Sequence, residues 1–333
     1  MNGQTASERT ARAEDVFRRL EGRLRHAVKG RDDVIELVLI ALLADGHVLL
    51  EDYPGSGKTT LAKTLGESII DDIADDEIAA FRRIQFTPDL LPSDITGVSV
   101  FDAETSTFSF RRGPIFAYVV LGDEINRTSP KVQSAMLEAM AEKQVTVDNI
   151  SYRLNDFFFV LATQNPQDLA GTYPLPVAQL DRFLFKIRME YIDRESEIEV
   201  LRTRLDRRQP PGDGLPRVYR AEVIAARHII EEEVYASPAI LACLVDIARE
   251  IRSNPHVAQG ISTRSLVMAV PALKARALAR GRDWVSGEDV EALAPYIFAH
   301  RVSLAVPTAD AAAIVKEALA RPLEALARAT LRG

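Results

Sequence analysis

The stretch LLEDYPGSGKTTLAKTL (residues 49–65) places Gly55 and Gly57 between an apolar run and a helical pattern. Glycines in such a turn let backbone N–H groups point at phosphate oxygens at a helix N-terminus. Lys58 would then reach the β- and γ-phosphates, and Thr59 would bind Mg²⁺. The stretch therefore predicts a loop that holds a nucleoside triphosphate.

One residue of this loop departs from the usual pattern. Asp52 stands where the G-x-x-x-x-G-K-[ST] motif has its first glycine, so the strict motif fails. The order of strand, Gly-rich turn, Lys-Thr and helix still favours a phosphate-binding loop over an ordinary turn.

Two further apolar runs end in polar residues that suit phosphate chemistry. AYVVLGDE (117–124) ends in Asp123, which would hold Mg²⁺ through its waters, and Glu124, which would polarise the attacking water. FFFVLATQN ends in Asn165, whose amide could orient that water or contact the γ-phosphate. Taken alone, the carboxylates could be solvated and Asn165 could cap the turn before Pro166. Together with the phosphate loop, they indicate a nucleoside triphosphatase.

Short apolar runs alternate with helical patterns through the first half of the chain, which predicts an α/β fold with a parallel sheet covered on both faces. The predicted strands are 47–51, 82–86, 117–124, 157–163 and 182–187. From about Asp193 no strand pattern remains, and helix starts such as Ser237, Ser262 and Ser286 predict an all-α second domain.

Two hairpins interrupt the α/β half. GVSVFDAETSTFSFRRG alternates on both sides of a polar tip at 103–106, and QVTVDNISYRL alternates around Asp148 and Asn149. Both are insertions that a minimal α/β fold does not need.

The composition is that of a globular protein with room for two domains. The chain has 333 residues, 47% hydrophobic and 27% charged, and a formal net charge of −7. The acidic balance supplies no general attraction for nucleic acid. We expect no membrane span, and because the first 20 residues lack an apolar core and Cys243 is the sole cysteine, we expect a cytoplasmic location. His26 and His47 have no metal-ligand partner at useful spacing and are interpreted as structural.

These pieces, in this order, resemble an AAA+ ATPase, and the MoxR family in particular. The resemblance covers roughly residues 25 to 300. It rests on TPDLLPSDITG (87–97), GDEINRTSPKVQSAMLEAMAEKQVTVD (122–148) and LATQNPQDLAGTYPLPVAQLDRFLFKI (161–187). It implies a five-stranded sheet of order 5-1-4-3-2 in residues 1–192 and a helical lid in 193–333. The hairpins would be the helix-2 insert (about 97–113) and the pre-sensor-1 hairpin (about 144–154), near the channel of a hexameric ring.

The resemblance also implies ATP and Mg²⁺ as cofactors and a role for each matching residue. The nucleotide-binding residues would be Tyr53, Pro54, Gly55, Ser56, Gly57, Lys58, Thr59 and Thr60. Asp123 and Glu124 match the Walker B pair, and Asn165 matches sensor 1. Arg182 matches the arginine finger that reaches a neighbour's phosphates, although by itself it could simply pair with Asp181 or a neighbouring surface acid. Arg264 matches sensor 2, which contacts the nucleotide of its own subunit.

Three other positions are less standard. Arg31 stands where the family usually has glutamine, which affects the contacts to adenine. Pro271 lies inside the helical pattern that starts near Arg264 and should kink it, because proline lacks an N–H. Arg127 could face the phosphates or an interface, but a structural role is favoured.

Three functions fit this sequence. The first is an ATP-driven chaperone that remodels or activates partner proteins, which the resemblance suggests often carry von Willebrand factor A domains. The second is a nucleic-acid motor or loader, which the acidic net charge and the hairpin tips oppose, since loops that grip phosphates should carry Lys or Arg. The third is a nucleotide-gated binding module with slow hydrolysis, against which the presence of both Glu124 and Arg182 counts.

Overall fold

A computed structural model of the chain describes residues 5–51, 55–71, 78–165, 171–203, 214–306 and 308–330. The predicted loop residues Asp52, Tyr53 and Pro54 lie outside these ranges, as does Pro166. The helices are α1 (Ala6–Ala27), α2 (Asp32–Leu43), α3 (Lys58–Glu67), α4 (Pro92–Thr96), α5 (Pro130–Glu142), α6 (Val177–Leu180), α7 (Arg194–Arg202), α8 (Arg220–Glu233), α9 (Pro238–Ser253), α10 (Thr263–Ala279), α11 (Gly287–Phe298) and α12 (Ala311–Thr330). The strands are β1 (Val48–Glu51), β2 (Ile69–Ile70), β3 (Ala79–Gln85), β4 (Gly97–Asp102), β5 (Thr107–Arg112), β6 (Ala117–Asp123), β7 (Gln144–Val147), β8 (Ile150–Arg153), β9 (Phe159–Gln164), β10 (Phe185–Arg188), β11 (Val218–Tyr219), β12 (Val257–Gln259) and β13 (Ser303–Leu304).

The central sheet has five parallel strands in the order β10-β1-β9-β6-β3. Counted along the chain these are strands 5-1-4-3-2, so the predicted fold is confirmed. Every residue of β6 is buried, as expected for a parallel strand that is covered on both faces.

Successive residues of β1 enter different hydrophobic cores, because side chains alternate across a strand. Val48 and Leu50 join the larger core, which contains α1, α2, α3 and the helices of the C-terminal half. Leu49 joins a smaller core on the opposite face, which contains α5 and Phe158. The C-terminal helices are thus packed onto one face of the sheet unit through α1 and α2.

The C-terminal half is mainly helical, as predicted, and its helices begin at the predicted caps. Ser237 and Ser262 each accept a hydrogen bond from a backbone N–H of the first turn, and Ser286 forms a capping box with Asp289. α10 is continuous although Pro271 lies inside it.

The prediction that no strand occurs after residue 193 is wrong in detail. β11 pairs in parallel with β2, and β12 pairs antiparallel with β13. Each of these strands has only two or three residues, which is too short to produce a period-2 pattern in the sequence.

Both hairpins form at the predicted places. β4 pairs with β5 around a tip at 103–106, and β7 pairs with β8 around Asp148 and Asn149. Both tip residues of the second hairpin have positive φ, 50° and 62°, which is the geometry of a type I′ turn. The hairpins contact each other through Phe110 and Tyr152, whose rings stack with centroids 3.8 Å apart.

Candidate functional site

The phosphate loop lies at the carboxyl end of β1 and leads into α3. Gly55 and Gly57 have φ of 89° and 93°, and a side chain in that left-handed region would be strained. Gly57 is the N-cap of α3, and Lys58 and Thr59 are its first residues. The structure thus has a helix N-terminus at the predicted place, and helix N-termini typically bind phosphate oxygens through their first-turn N–H groups.

Asp123 ends β6 beside this loop and is already surrounded by donors. Its carboxylate contacts Lys58 Nζ (3.1 Å) and Arg83 Nη2 (2.5 Å), and it accepts a hydrogen bond from Thr163 Oγ1 (2.7 Å). Burial by itself raises the pKa of Asp123, but the bonds from Thr163, Arg83 and Lys58 outweigh it and hold the pKa below its ordinary value. Asp123 is thus an ionised carboxylate in a site that favours positive charge.

Glu124 adopts an unusual backbone conformation. Its φ of 60° is left-handed, which is uncommon for a residue with a side chain and occurs mostly where the surroundings enforce it. Its backbone N–H donates to Thr163 Oγ1 (2.9 Å). Its Oε2 accepts a hydrogen bond from Gln85 Nε2 (2.9 Å), and Arg127 Nε lies 3.5 Å from the same oxygen. Arg127, favoured as structural from the sequence, is therefore a direct neighbour of the predicted base.

The predicted residues converge on one cavity of about 310 Å³. Its lining is formed by Gly55, Lys58, Thr59, Arg83, Gln85, Asp123, Glu124 and Asn165. Six of these eight were predicted from sequence motifs. Arg83 and Gln85 were missed, although both are polar residues near the end of a predicted strand. In the sheet Gln85 is paired with Asp123, which places β3 against the Walker B position.

The donor set fits magnesium. Thr59 supplies a hydroxyl and Asp123 a carboxylate in the same cavity, and Mg²⁺ is typically bound by one or two such oxygens together with substrate phosphates. The contacts from Lys58 and Arg83 show that Asp123 is positioned to bind cations.

A second cavity of about 410 Å³ lies on the other side of the phosphate loop. Gly55, Ser56, Gly57 and Thr60 form one wall. The other walls are Ala27, Val28, Lys29, Arg31, Met189, Glu190, Tyr191, Ile192, Glu197, Val200 and Leu201. This mixture of apolar side chains and a few polar groups suits a nucleoside. Arg31, only 7% exposed, lies in its wall.

Comparison with known proteins identifies the family. Residues 47–185 match the ATPase family associated with various cellular activities (AAA), and residues 249–321 match the AAA lid domain. The chain is 36% identical over 287 residues to Chaperone MoxR1 of Mycobacterium tuberculosis, covering 84% of this chain and 74% of that protein. The chain belongs to the MoxR family of AAA+ ATPases.

Two other relatives span nearly the whole chain. The uncharacterized protein YeaC of Bacillus subtilis is 47% identical over 294 residues, which is 88% of each protein. The crystal structure of a candidate ATPase from Cytophaga hutchinsonii superposes with a TM-score of 0.83 at 34% identity, covering 94% of this chain and 96% of that one. Within the described ranges, the helices are all too short or too polar to cross a membrane.

The two remaining arginines of the MoxR pattern lie elsewhere. Arg182 precedes β10, whereas the phosphate loop follows β1, and these strands are parallel. Glu51, at the end of β1, is paired with Arg188, at the end of β10. The four residues of β10, at about 3.3 Å each, therefore separate Arg182 from its own phosphate loop. Arg182 lies at the amino edge of the sheet.

Arg264, in the first turn of α10, lies near Asp181 and Arg301 and lines neither of the two cavities beside the phosphate loop. Its neighbour Ser265 donates a hydrogen bond to Asp181 (3.1 Å). The pKa of Arg301, which also binds Asp181, is lowered mainly by burial and also by the charge of Arg264. The resemblance implied that Arg264 contacts the nucleotide of its own subunit, but the start of α10 packs at the amino edge. Asp181 pairs with Arg301, so the alternative in which Arg182 simply pairs with Asp181 is not what the structure has.

Proposed function

We propose that this MoxR-family chain hydrolyses ATP at the interfaces of a ring of identical subunits and uses that cycle to remodel partner proteins. The observation that carries the proposal is the separation of the site into two edges. The carboxyl edge holds the groups for binding and water activation, and the amino edge holds Arg182 and Arg264, which suit a neighbour's triphosphate.

At the carboxyl edge, each side chain has a definite task. Lys58 neutralises phosphate charge, and Glu124 takes a proton from the water whose oxygen attacks the γ-phosphorus while the bond to the β–γ bridging oxygen breaks. Asn165 orients that water. Thr59 and Asp123 would hold Mg²⁺, which when bound offsets the charge on the β- and γ-phosphate oxygens. Gln85 donates to Glu124 Oε2, and the remaining acceptor sites of the carboxylate can take the proton from water.

At the amino edge, the guanidinium of Arg182 is available for a neighbour. It donates to the carbonyl of Leu137 (3.1 Å), a neutral acceptor on α5. A bond to a neutral carbonyl is weaker than a charge-assisted bond to phosphate, so the exchange is favourable when a neighbouring triphosphate is in reach. A hexamer is the ring expected from the resemblance.

The partner is proposed to be a protein, and a protein with a von Willebrand factor A domain is the candidate. The name of Chaperone MoxR1 supports chaperone-like work. The exposed hairpin tips carry Asp102, Glu104 and Asp148, which oppose binding to nucleic-acid phosphates. A cytoplasmic location stays a prediction.

The proposal is tested by mixing two inactive proteins. Lys58→Ala cannot hold ATP but keeps its Arg182, and Arg182→Ala holds ATP but lacks the finger. In a ring, some Arg182→Ala sites will face an intact Arg182, so ATPase activity of the mixture should exceed the sum of the two separate activities. If an affinity-tagged Arg182→Ala protein retains the untagged Lys58→Ala protein, which shows that the two co-assemble, but the mixture gains no activity, then Arg182 does not act across an interface.

A further inference from the structure

The segment that carries Arg182 is held by a buried arginine of the C-terminal half. Arg301 is 2% exposed, and its Nε lies 2.7 Å from Asp181 Oδ1. Its Nη1 donates to the carbonyl of Leu184 (3.2 Å), and its Nη2 donates to the carbonyls of Phe183 (2.6 Å) and Asp181 (3.3 Å). One guanidinium thus binds the backbone on both sides of Arg182.

The contacts of Arg301 restrain the backbone of the segment that carries Arg182. Burying a charged guanidinium is costly unless a counter-charge and well-placed acceptors compensate it. Here the carboxylate of Asp181 supplies the counter-charge, and backbone carbonyls of the same segment accept hydrogen bonds from the N–H groups of the Arg301 guanidinium. The backbone at 181–184 can therefore hardly move unless Arg301 moves with it.

Asp181 also binds the helix that carries Arg264. Oδ1 of Asp181 accepts a hydrogen bond from Ser265 Oγ (3.1 Å), and Ser265 is fully buried in the first turn of α10. A second buried contact comes from His300, whose Nε2 lies 3.1 Å from the carbonyl of Phe183. Asp181 is thus the point at which the Arg182 segment, α10 and Arg301 meet.

We propose that Asp181 and Arg301 are positioning residues that attach the Arg182 segment to the lid, so that the lid and the finger are presented to the neighbouring subunit as one body. This rests on the proposed function, because it assumes that Arg182 acts on a neighbour's ATP. Asp181 and Arg301 themselves touch no nucleotide. Their effect is transmitted through the position of Arg182.

The test places Asp181→Asn in one or the other member of the complementing pair. When Asp181→Asn is placed in the Lys58→Ala protein, which supplies Arg182, the substitution should reduce the recovered kcat by between about tenfold and 10²-fold. That is the loss expected when a catalytic group is displaced slightly, and the KM for ATP should be unchanged. In the Arg182→Ala protein, which supplies only the ATP site, the substitution should leave the recovered activity unchanged.

Controls keep this result interpretable. Glu36→Gln removes a carboxylate of similar exposure, 24% against 21% for Asp181, that pairs with Arg280 just after α10. It should have no effect in either protein. Arg301→Lys keeps the charge but loses the fork, and it should show the same asymmetry as Asp181→Asn. Thermal unfolding of each variant identifies any that fails to fold.

The outcomes separate the two proposals. If Asp181→Asn reduces the recovered ATPase activity equally in either protein, Asp181 acts only through stability or assembly. If the substitution reduces the activity in neither protein, Asp181 does not position Arg182. Both results overturn the positioning role while leaving the interface mechanism intact. Absence of activity in the parent mixture would instead overturn the interface mechanism, and the positioning role with it.

Discussion

The two edges of the central sheet are built in different ways. At the carboxyl edge, the side chains around the cavity of about 310 Å³ come from the ends of neighbouring parallel strands. At the amino edge, Arg182, Ser265 and Arg301 come from segments far apart in the chain and meet only because the helical half packs there. One edge is a consequence of strand order, and the other depends on how the lid docks.

Under the proposed function, this difference assigns ATP binding to one subunit and the two arginines to its neighbour. An edge that is complete in one subunit can bind ATP without a partner. An edge that presents cations without a phosphate of its own is useful only to a second subunit. Substitutions at the carboxyl edge and at the amino edge should therefore impair ATP hydrolysis independently of each other.

The largest effect is expected at the carboxyl edge. Glu124→Gln should reduce ATP turnover by about 10²–10⁴-fold while ATP binding is retained, because the amide cannot take a proton from water. Lys58→Ala should lose ATP binding itself, since it removes the ground-state phosphate contact. Phosphate release and titration with a fluorescent ATP analogue measure the two properties.

Glu138→Gln, on the exposed face of α5, is the control for Glu124→Gln and should behave as the wild type. Turnover at the wild-type rate in Glu124→Gln would show that another group is the base.

The next effect concerns Arg264 at the amino edge. Arg264→Ala should lower activity by less than the about 10³–10⁵-fold typical of arginine fingers, because Arg182 remains. In the mixture of the Lys58→Ala and Arg182→Ala proteins, Arg264→Ala should reduce the recovered ATPase activity when it is placed in the Lys58→Ala protein. It should leave that activity unchanged when it is placed in the Arg182→Ala protein. The opposite asymmetry would restore the own-subunit contact that the resemblance implied.

Acid should destabilise the folded chain through histidines that are buried near the amino edge. His47, just before β1, is buried, and burial lowers its pKa to about 4. The positive charges of Lys143 and Arg227 act in the same direction, whereas the hydrogen bond with the carbonyl of Met140 and the charge of Asp45 raise the pKa. Nδ1 of His47 accepts a hydrogen bond from the N–H of Val160. The unfolded chain therefore binds a proton near pH 6.5 that the folded chain refuses until about pH 4, so the free energy of unfolding should fall by about 3 kcal/mol across that window.

His300 shifts in the same direction, with burial as its main cause. Asp123 contributes no slope there, because its folded pKa lies below 3.8 and its stabilisation is lost only as the pH falls further. Urea unfolding between pH 7 and 4 measures the slope. His47→Gln should make it shallower, whereas His26→Gln, on an exposed site of α1, should not. If the pH dependence of the free energy of unfolding is unchanged in His47→Gln, then His47 is not the cause of the acid destabilisation.

The smallest effect on ATP turnover is expected from the hairpin tips, which line neither of the two cavities beside the phosphate loop. Replacing Asp148 and Asn149 with glycine keeps the left-handed turn and should leave basal ATPase activity unchanged. Stimulation of the ATPase by casein, used as an unfolded probe protein, should decrease. Salt-sensitive binding of single-stranded oligo-dT that is lost in the same variant would favour a nucleic-acid motor instead.

Prediction from the sequence worked best for site residues that directly follow, in the chain, the strand that positions them. Gly55, Gly57, Lys58, Asp123 and Glu124 stand directly beside the strands that position them, so period and turn residues are enough to bring them together. The expected strand order already placed β3 beside the strand of Asp123, but Arg83 and Gln85 were missed because no motif in RRIQ indicates that their side chains reach Asp123 and Glu124. The short strands β11, β12 and β13 were missed because they hold too few residues to show a period.

The sequence by itself determined the alternation of strands and helices, the phosphate loop, the Walker B carboxylates and both hairpins, since each depends on interactions between residues close in the chain. Only the tertiary structure decided that Arg264 lies with Arg182 at the amino edge, and that Asp181 binds Arg301 and Ser265. These contacts span about a hundred residues or more, and no local propensity specifies them. They form because burying the apolar faces of α8 and α10 against α1 and α2 fixes where the lid lies, and the polar groups at that junction must then pair with one another.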